Sequence, residues 1–184
     1  MKPETRRQIL KIGAKTTLAL FFPLPISAAI KLTIPASRSL SFYNTHTKES
    51  LYVCYFKNGR YDPKALSQIN FILRDHRTGD IRPIARELLD LLTMVASQVK
   101  AQKTFHVISG YRSPATNAML HSITTGVARK SLHMVGKAID IRIPNYSTLA
   151  LRDLCINLHQ GGVGYYPKSN FVHLDIGQVR YWDS

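Results

Sequence analysis

Ala138-Ile139-Asp140-Ile141-Arg142-Ile143 and Phe171-Val172-His173-Leu174-Asp175-Ile176 are the stretches whose reading decides the fold. In an extended chain, successive side chains point to opposite faces. Ile139, Ile141 and Ile143 therefore share one side of the first stretch, with Asp140 and Arg142 on the other. In the second, Val172, Leu174 and Ile176 oppose His173 and Asp175. Both read as strands with one face on a core and the other on a polar cleft. Gly162-Val163-Gly164-Tyr165-Tyr166 precedes the second strand. The turn Pro167-Lys168-Ser169-Asn170 makes the whole of 162–176 a closing hairpin.

Upstream, Ser39–Asn44 and Glu49–Phe56 are rich in aromatic and β-branched residues, and Thr45-His46-Thr47-Lys48 joins them as a hairpin. Lys57-Asn58-Gly59-Arg60 is a turn. Asp62 caps a helix starting at Pro63, with Leu66, Ile69, Phe71, Ile72 and Leu73 as its stripe. A second helix is predicted over 83–102, then a short strand Phe105–Ile108 leading into Ser109-Gly110-Tyr111-Arg112-Ser113. Further helices are predicted over 114–122 and 147–159, with a basic loop at 123–132. This order argues for an α+β single domain: a mainly antiparallel sheet with helices packed on one side. A length of 184 residues, 45% hydrophobic, suits one compact domain and excludes a fibrous repeat or a disordered chain. Cys54 and Cys155 are the only cysteines. They permit one bridge, with two buried thiols as the simpler account.

Residues 1–28 read as an export signal and 29–184 as the functional domain. Arg6-Arg7-Gln8-Ile9-Leu10-Lys11 precedes a modest apolar run, then Pro23-Leu24-Pro25-Ile26-Ser27-Ala28. The paired arginines resemble a twin-arginine translocation signal, which implies the twin-arginine translocase as export partner and a periplasmic destination. An uncleaved anchor is the competing reading, opposed by Pro23 and Pro25. The signal carries +4 of the formal charge of +14. The remaining basic charge suits acidic peptides or a plain solvated surface. Lys and Arg at 129, 130, 137, 142, 152 and 168 are expected around the cleft. A nucleic-acid partner is opposed by the export signal and by the absence of aromatics interleaved through 129–137.

His133 precedes Asp140 by seven residues, with Gly136 supplying a bend between them. His133, Asp140 and His173 would offer two imidazoles and a carboxylate, the donor set of a catalytic zinc with its fourth position open to water. Pattern alone leaves a second reading open, in which these are ordinary polar groups on a solvated sheet face.

The motifs Ser109-Gly110-Tyr111-Arg112-Ser113, Ser131-Leu132-His133 through Gly136 and Ala138 to Asp140, Gly161–Tyr166 and Phe171–Asp175 stand in that order. Together they resemble the zinc peptidases related to D-alanyl-D-alanine carboxypeptidases, and within them the murein endopeptidase K family. The resemblance implies a fold shared with lysostaphin-type enzymes and the hedgehog domain. It also implies Zn²⁺ on His133, Asp140 and His173, and peptidoglycan stem peptides and cross-bridges as substrate. Arg112, in the turn after a strand, suits an oxyanion stabiliser or a grip on a substrate carboxylate. Ser109 and Ser131 are expected only to hold loops.

Many relatives carry a Glu three residues before the last His ligand, where this chain has Asn170, which takes no proton at neutral pH. Asp175 is then the best catalytic carboxylate. It stands equally as the group that orients an imidazole. His121 and His159 are further base candidates, His159 more simply capping a helix. His46, His76 and His106 read as structural. The rival function is a peptidoglycan-binding module of the same fold without catalysis, which Asn170 keeps open.

Overall fold

The computed structural model describes residues 35–100, 103–124 and 126–184. The export signal read over 1–28 and the start of the domain at 29 lie outside them. In chain order the elements are β1 (Arg38–Asn44), β2 (Ser50–Lys57), β3 (Arg60–Tyr61), α1 (Pro63–Ile72), α2 (Arg86–Gln98), β4 (Thr104–Ser109) and α3 (Pro114–Ile123). A 3₁₀ turn (Leu132–Val135) follows, then β5 (Ala138–Arg142), α4 (Thr148–Leu158), β6 (Gly162–Tyr166), β7 (Phe171–Asp175) and β8 (Arg180–Asp183).

The strands form one sheet in the order β3-β2-β1-β4-β5-β7-β6-β8. It is mainly antiparallel, as the sequence predicts. Two junctions run parallel: β1 with β4, reached through the α1–α2 crossover, and β6 with β8. β3 and β8 are not predicted from the sequence. Each is short and gains its ladder from a partner strand rather than from its own apolar pattern.

The alternation read in β5 and β7 holds. Ile139, Ile141, Val172 and Leu174 are buried in the core beside Phe42 and Phe105. Onto that core α1 brings Ala65, Ile69 and Ile72, α2 brings Leu88, Leu89, Leu92 and Val95, and α4 brings Leu151 and Cys155. Fully burying each of the Leu, Ile and Val side chains contributes about 1.5–3 kcal/mol. α3 gives the core no apolar residue, and its buried positions are Thr116 and Asn117.

Asp62 caps α1 as predicted, accepting from the N–H groups of Lys64 and Ala65. α2 starts later than position 83, because Ala85 is extended and stands as its N-cap. The Ile84 N–H donates to Asn70 Oδ1, and the Ala85 N–H donates to the Gly136 carbonyl. Cys54 and Cys155 are both free thiols.

The His46 and His76 rings stack 3.7 Å apart, nearly coplanar in orientation. Burial, followed by the charges of His46 and Arg77, lowers the His76 pKa to about 4. The neighbouring Asp75 carboxyl is also depressed. Burial opposes its ionisation, but hydrogen bonds from Thr116 and from the Ser113 and Arg77 N–H groups outweigh it. A histidine whose folded pKa lies below its unfolded value near 6.5 takes up its proton on unfolding. Its stabilising effect is therefore present above about pH 6.5 and lost as pH falls toward 4. Asp75 adds a further loss below the ordinary carboxylate range. The expected result is a thermal midpoint that drops between pH 7 and 4.5. His76→Gln should remove on the order of 1 kcal/mol of that pH dependence, since the ring is only partly buried. Differential scanning calorimetry at the two pH values checks it.

Candidate metal centre

The segment Ser109–Ser113 leaves the end of β4 and supplies the floor of the cleft. The Gly110 carbonyl accepts from His133 Nδ1 at 2.7 Å, and the Arg112 N–H donates to the His133 carbonyl at 3.2 Å. Ser113 caps α3, and its own N–H donates to buried Asp75 at 2.8 Å. His133 rides on the 3₁₀ turn. Ser131 Oγ caps that turn by accepting from the His133 N–H. Gly136 ends it at φ +66, a left-handed conformation that a side chain disfavours, with the Pro83 carbonyl packed where a Cβ would stand. The chain then enters β5, and Asp140 comes to lie directly opposite His173 on β7.

Three side chains converge there. His133 Nε2 lies 3.2 Å from His173 Nδ1 and 3.3 Å from Asp140 Oδ1, and His173 Nδ1 lies 2.8 Å from the same oxygen. Ligand atoms about 2.0–2.2 Å from a tetrahedral ion stand about 3.3–3.6 Å from one another. The edges at 3.3 and 3.2 Å lie at and just below the short end of that span, and the third is a hydrogen-bond length. The remaining imidazole nitrogens are engaged away from the centre. His133 Nδ1 is held by the Gly110 carbonyl, and His173 Nε2 by Asp175 Oδ2 at 3.0 Å. When each ring donates its outer N–H, the inner nitrogen keeps a lone pair for the centre. His133, Asp140 and His173 thus form a cluster fit to hold a metal ion.

Burial opposes ionisation of Asp140. The neighbouring charge and hydrogen bonds of His133, with those of His173, outweigh it and hold the carboxyl well below its ordinary range. His173 is likewise pushed against protonation by burial and pulled back by Asp140 and Asp175, to about 9.

Asp175 has no solvent exposure. Besides His173, it accepts from the Gly162 and Gly177 N–H groups at 3.1 and 2.8 Å and from Arg180 at 2.6 and 3.2 Å. Arg112 is buried against the cluster, with its guanidinium 3.5 Å from Asp140 Oδ2 and 3.4 Å from both Ser109 Oγ and Asn117 Oδ1. Its Nε is buried without any hydrogen-bond partner. Asn170 occupies the turn between β6 and β7 at φ +53, and its amide oxygen accepts from the Thr148 hydroxyl.

His121 holds the loop after α3, accepting from Arg129 Nε and contacting the Val127 carbonyl, while His159 ends α4 in a left-handed cap. Neither joins the cluster. The cleft is about 630 Å³, and its cations are Arg77, Arg112, Lys130 and Arg180. Of the basic positions expected around it, only Lys130 lines it. Arg152 instead pairs with Asp153 on α4. The sequence does not mark Arg180, Trp182, Tyr166 or Asn117 as site residues. The signal available was a period of two shared by Gly162-Gly164-Tyr166 and Arg180-Trp182.

A family profile described as peptidoglycan L,D-endopeptidase MepK matches residues 33–182. A protein of that name from Escherichia coli K12 is 37% identical over 177 residues, 96% of both chains, and one from Shigella flexneri matches equally. A Haemophilus influenzae protein named "Probable peptidoglycan L,D-endopeptidase MepK" is 36% identical over 160 residues, 86% of both chains. No solved structure matches the chain.

Proposed function

This chain belongs to the peptidoglycan L,D-endopeptidase MepK family of metallopeptidases, and from that membership we propose zinc-dependent hydrolysis of peptide cross-links in peptidoglycan. The observation that carries the metal site is the convergence of His133 Nε2, His173 Nδ1 and Asp140 Oδ1 in one buried triangle. Bound there, zinc supplies Lewis acidity toward the scissile carbonyl and makes water acidic enough to react near neutral pH.

The protein's own groups do the rest. Asp140 and His133 provide fixed donors, and the Gly110 carbonyl holds the His133 ring in one tautomer. Arg112 is the group that meets developing negative charge. Its guanidinium is held in place by Ser109 and Asn117 and lines the cleft. A preorganised donor of this kind acts mainly in the transition state. Asp175 is the orienting carboxylate of His173, since four other donors already occupy it and it has no exposed surface.

A substrate in peptidoglycan implies an extracytoplasmic site of action. We propose that residues 1–28 direct the chain there through the twin-arginine route. A peptidoglycan-binding module without catalysis is the second reading. Asn170 favours it, because the turn position holds an amide bonded to Thr148.

Digestion of purified sacculi separates the two. The mature chain with zinc is expected to release soluble fragments with new peptide termini, and a chelator should abolish the release. Arg112→Lys, which keeps the charge but loses the fork, should lower kcat about 10²–10³-fold with little change in KM or zinc content. Binding to sacculi without new termini under zinc-replete conditions would leave the binding module as the function.

A further inference from the structure

β8 lies beside the cluster with a spacing that the metal ligands alone do not require. Gly164 on β6 is paired with His173 on one side and with Trp182 on the other. No side chain stands between them, so the Trp182 indole lies over Gly164 and packs on the His173 ring, 5.3 Å between centroids. A Cβ at Gly164 would stand 2.5 Å from the indole. The indole Nε1–H donates to Tyr166 Oη at 3.0 Å, and the Tyr166 ring is itself stacked on Phe171, 4.5 Å away.

The indole N–H is a donor only, so the phenol oxygen accepts that bond and its own O–H must be given elsewhere. Among the described residues no acceptor takes it. Tyr166 lines the same cleft as Arg112 and His173. We propose that Tyr166 donates a hydrogen bond from its phenol to a carbonyl or carboxylate oxygen of the bound peptide, and that Trp182 is the positioning residue that fixes the phenol for it. This rests on the cleft being the peptide site proposed above. It adds a substrate contact that neither the metal cluster nor Arg112 provides. Trp182 thereby links a metal ligand to a substrate donor through a single ring.

Trp182 is the only tryptophan in the chain, so its emission reports on this contact alone. In the metal-free protein, Gly164→Ala is expected to push the indole off its shelf and shift its emission to the red. Unchanged emission would overturn the packing argument. Substrate contact is tested by calorimetric titration of metal-free protein with soluble cross-linked muropeptides, which does not depend on turnover. Tyr166→Phe and Trp182→Phe should each weaken binding about 5–10-fold, the worth of one hydrogen bond. The double variant should be no weaker than either single one, because both act through the same phenol. Wild-type affinity in Tyr166→Phe, or effects that multiply in the double variant, would sink the proposal. A wild-type protein that binds muropeptides in this way yet cuts no sacculi would count against the catalytic reading and leave this contact standing.

Discussion

His133→Ala is expected to come out of metal loading and dialysis with almost no zinc, while the wild-type chain holds one equivalent. The imidazole is one corner of the donor triangle, within 3.3 Å of both other ligand atoms, and it is almost wholly buried. Its loss leaves one imidazole and one carboxylate, a pair that Arg112 already contests from 3.5 Å. Two ligands beside a competing guanidinium hold a divalent ion poorly. The variant also leaves the buried Gly110 carbonyl without the imidazole donor, costing about 1–3 kcal/mol. Metal analysis is therefore paired with thermal unfolding. Chelator should lower the wild-type midpoint, because an ion that binds only the folded state stabilises it, and should leave His133→Ala unmoved. His121→Ala, outside the cluster, should retain the full equivalent. One zinc in His133→Ala would place the metal elsewhere and remove the basis of the proposed chemistry.

The parts of this site that were legible in the sequence are those written as alternation. Asp140 and His173 could be assigned to the polar face because Ile139, Ile141, Val172 and Leu174 claim the other one, and those four are buried. What alternation does not contain is register. Asp140 stands opposite His173, rather than one pair along, in a ladder between β5 and β7, two strands that α4 and β6 separate and that no turn joins. His133 lies on no strand. Its place depends on a Ser131 cap, a left-handed Gly136 and a carbonyl from residue 110, so its spacing to Asp140 alone is a weak signal that the combined motifs strengthen.

β8 escaped for a different reason. Arg180-Tyr181-Trp182-Asp183 has no buried apolar face, and its ladder comes from β6, some twenty residues earlier. Arg180 and Trp182 reach the cleft only through that strand. Of the cleft's cations, Arg112 and Lys130 are expected from the sequence, and Arg77 and Arg180 are not. Arg77, Arg112 and Arg180 come from three distant segments, so their proximity is a property of the sheet order and not of any charge run.

The carboxylate behind His173 yields the second large effect, and it decides between the two roles that the sequence leaves open for Asp175. If Asp175 orients the ring, Asp175→Asn should lose zinc affinity and turnover together, each by at least about 10–100-fold. The reason is the tautomer. Asp175 Oδ2 accepts the proton on His173 Nε2 and so keeps Nδ1, the inner nitrogen, free to donate its lone pair. An amide turned to keep its oxygen on the Gly162 and Gly177 N–H groups presents its NH₂ to Nε2 instead. That moves the ring proton to Nδ1, the atom facing the metal site. A comparable tautomer error in a catalytic triad costs about 10⁴-fold in turnover. Asp175→Ala should be worse for folding, because the Gly162 and Gly177 N–H groups lose their acceptor at about 1–3 kcal/mol for each that stays buried. The opposite pattern belongs to a general base: full zinc affinity in Asp175→Asn with turnover lost. Competition with a chromogenic zinc chelator measures the affinity and fragment release from sacculi measures turnover. Retention of both would strip Asp175 of either role and leave its fourfold hydrogen bonding as a device for closing the β7–β8 turn.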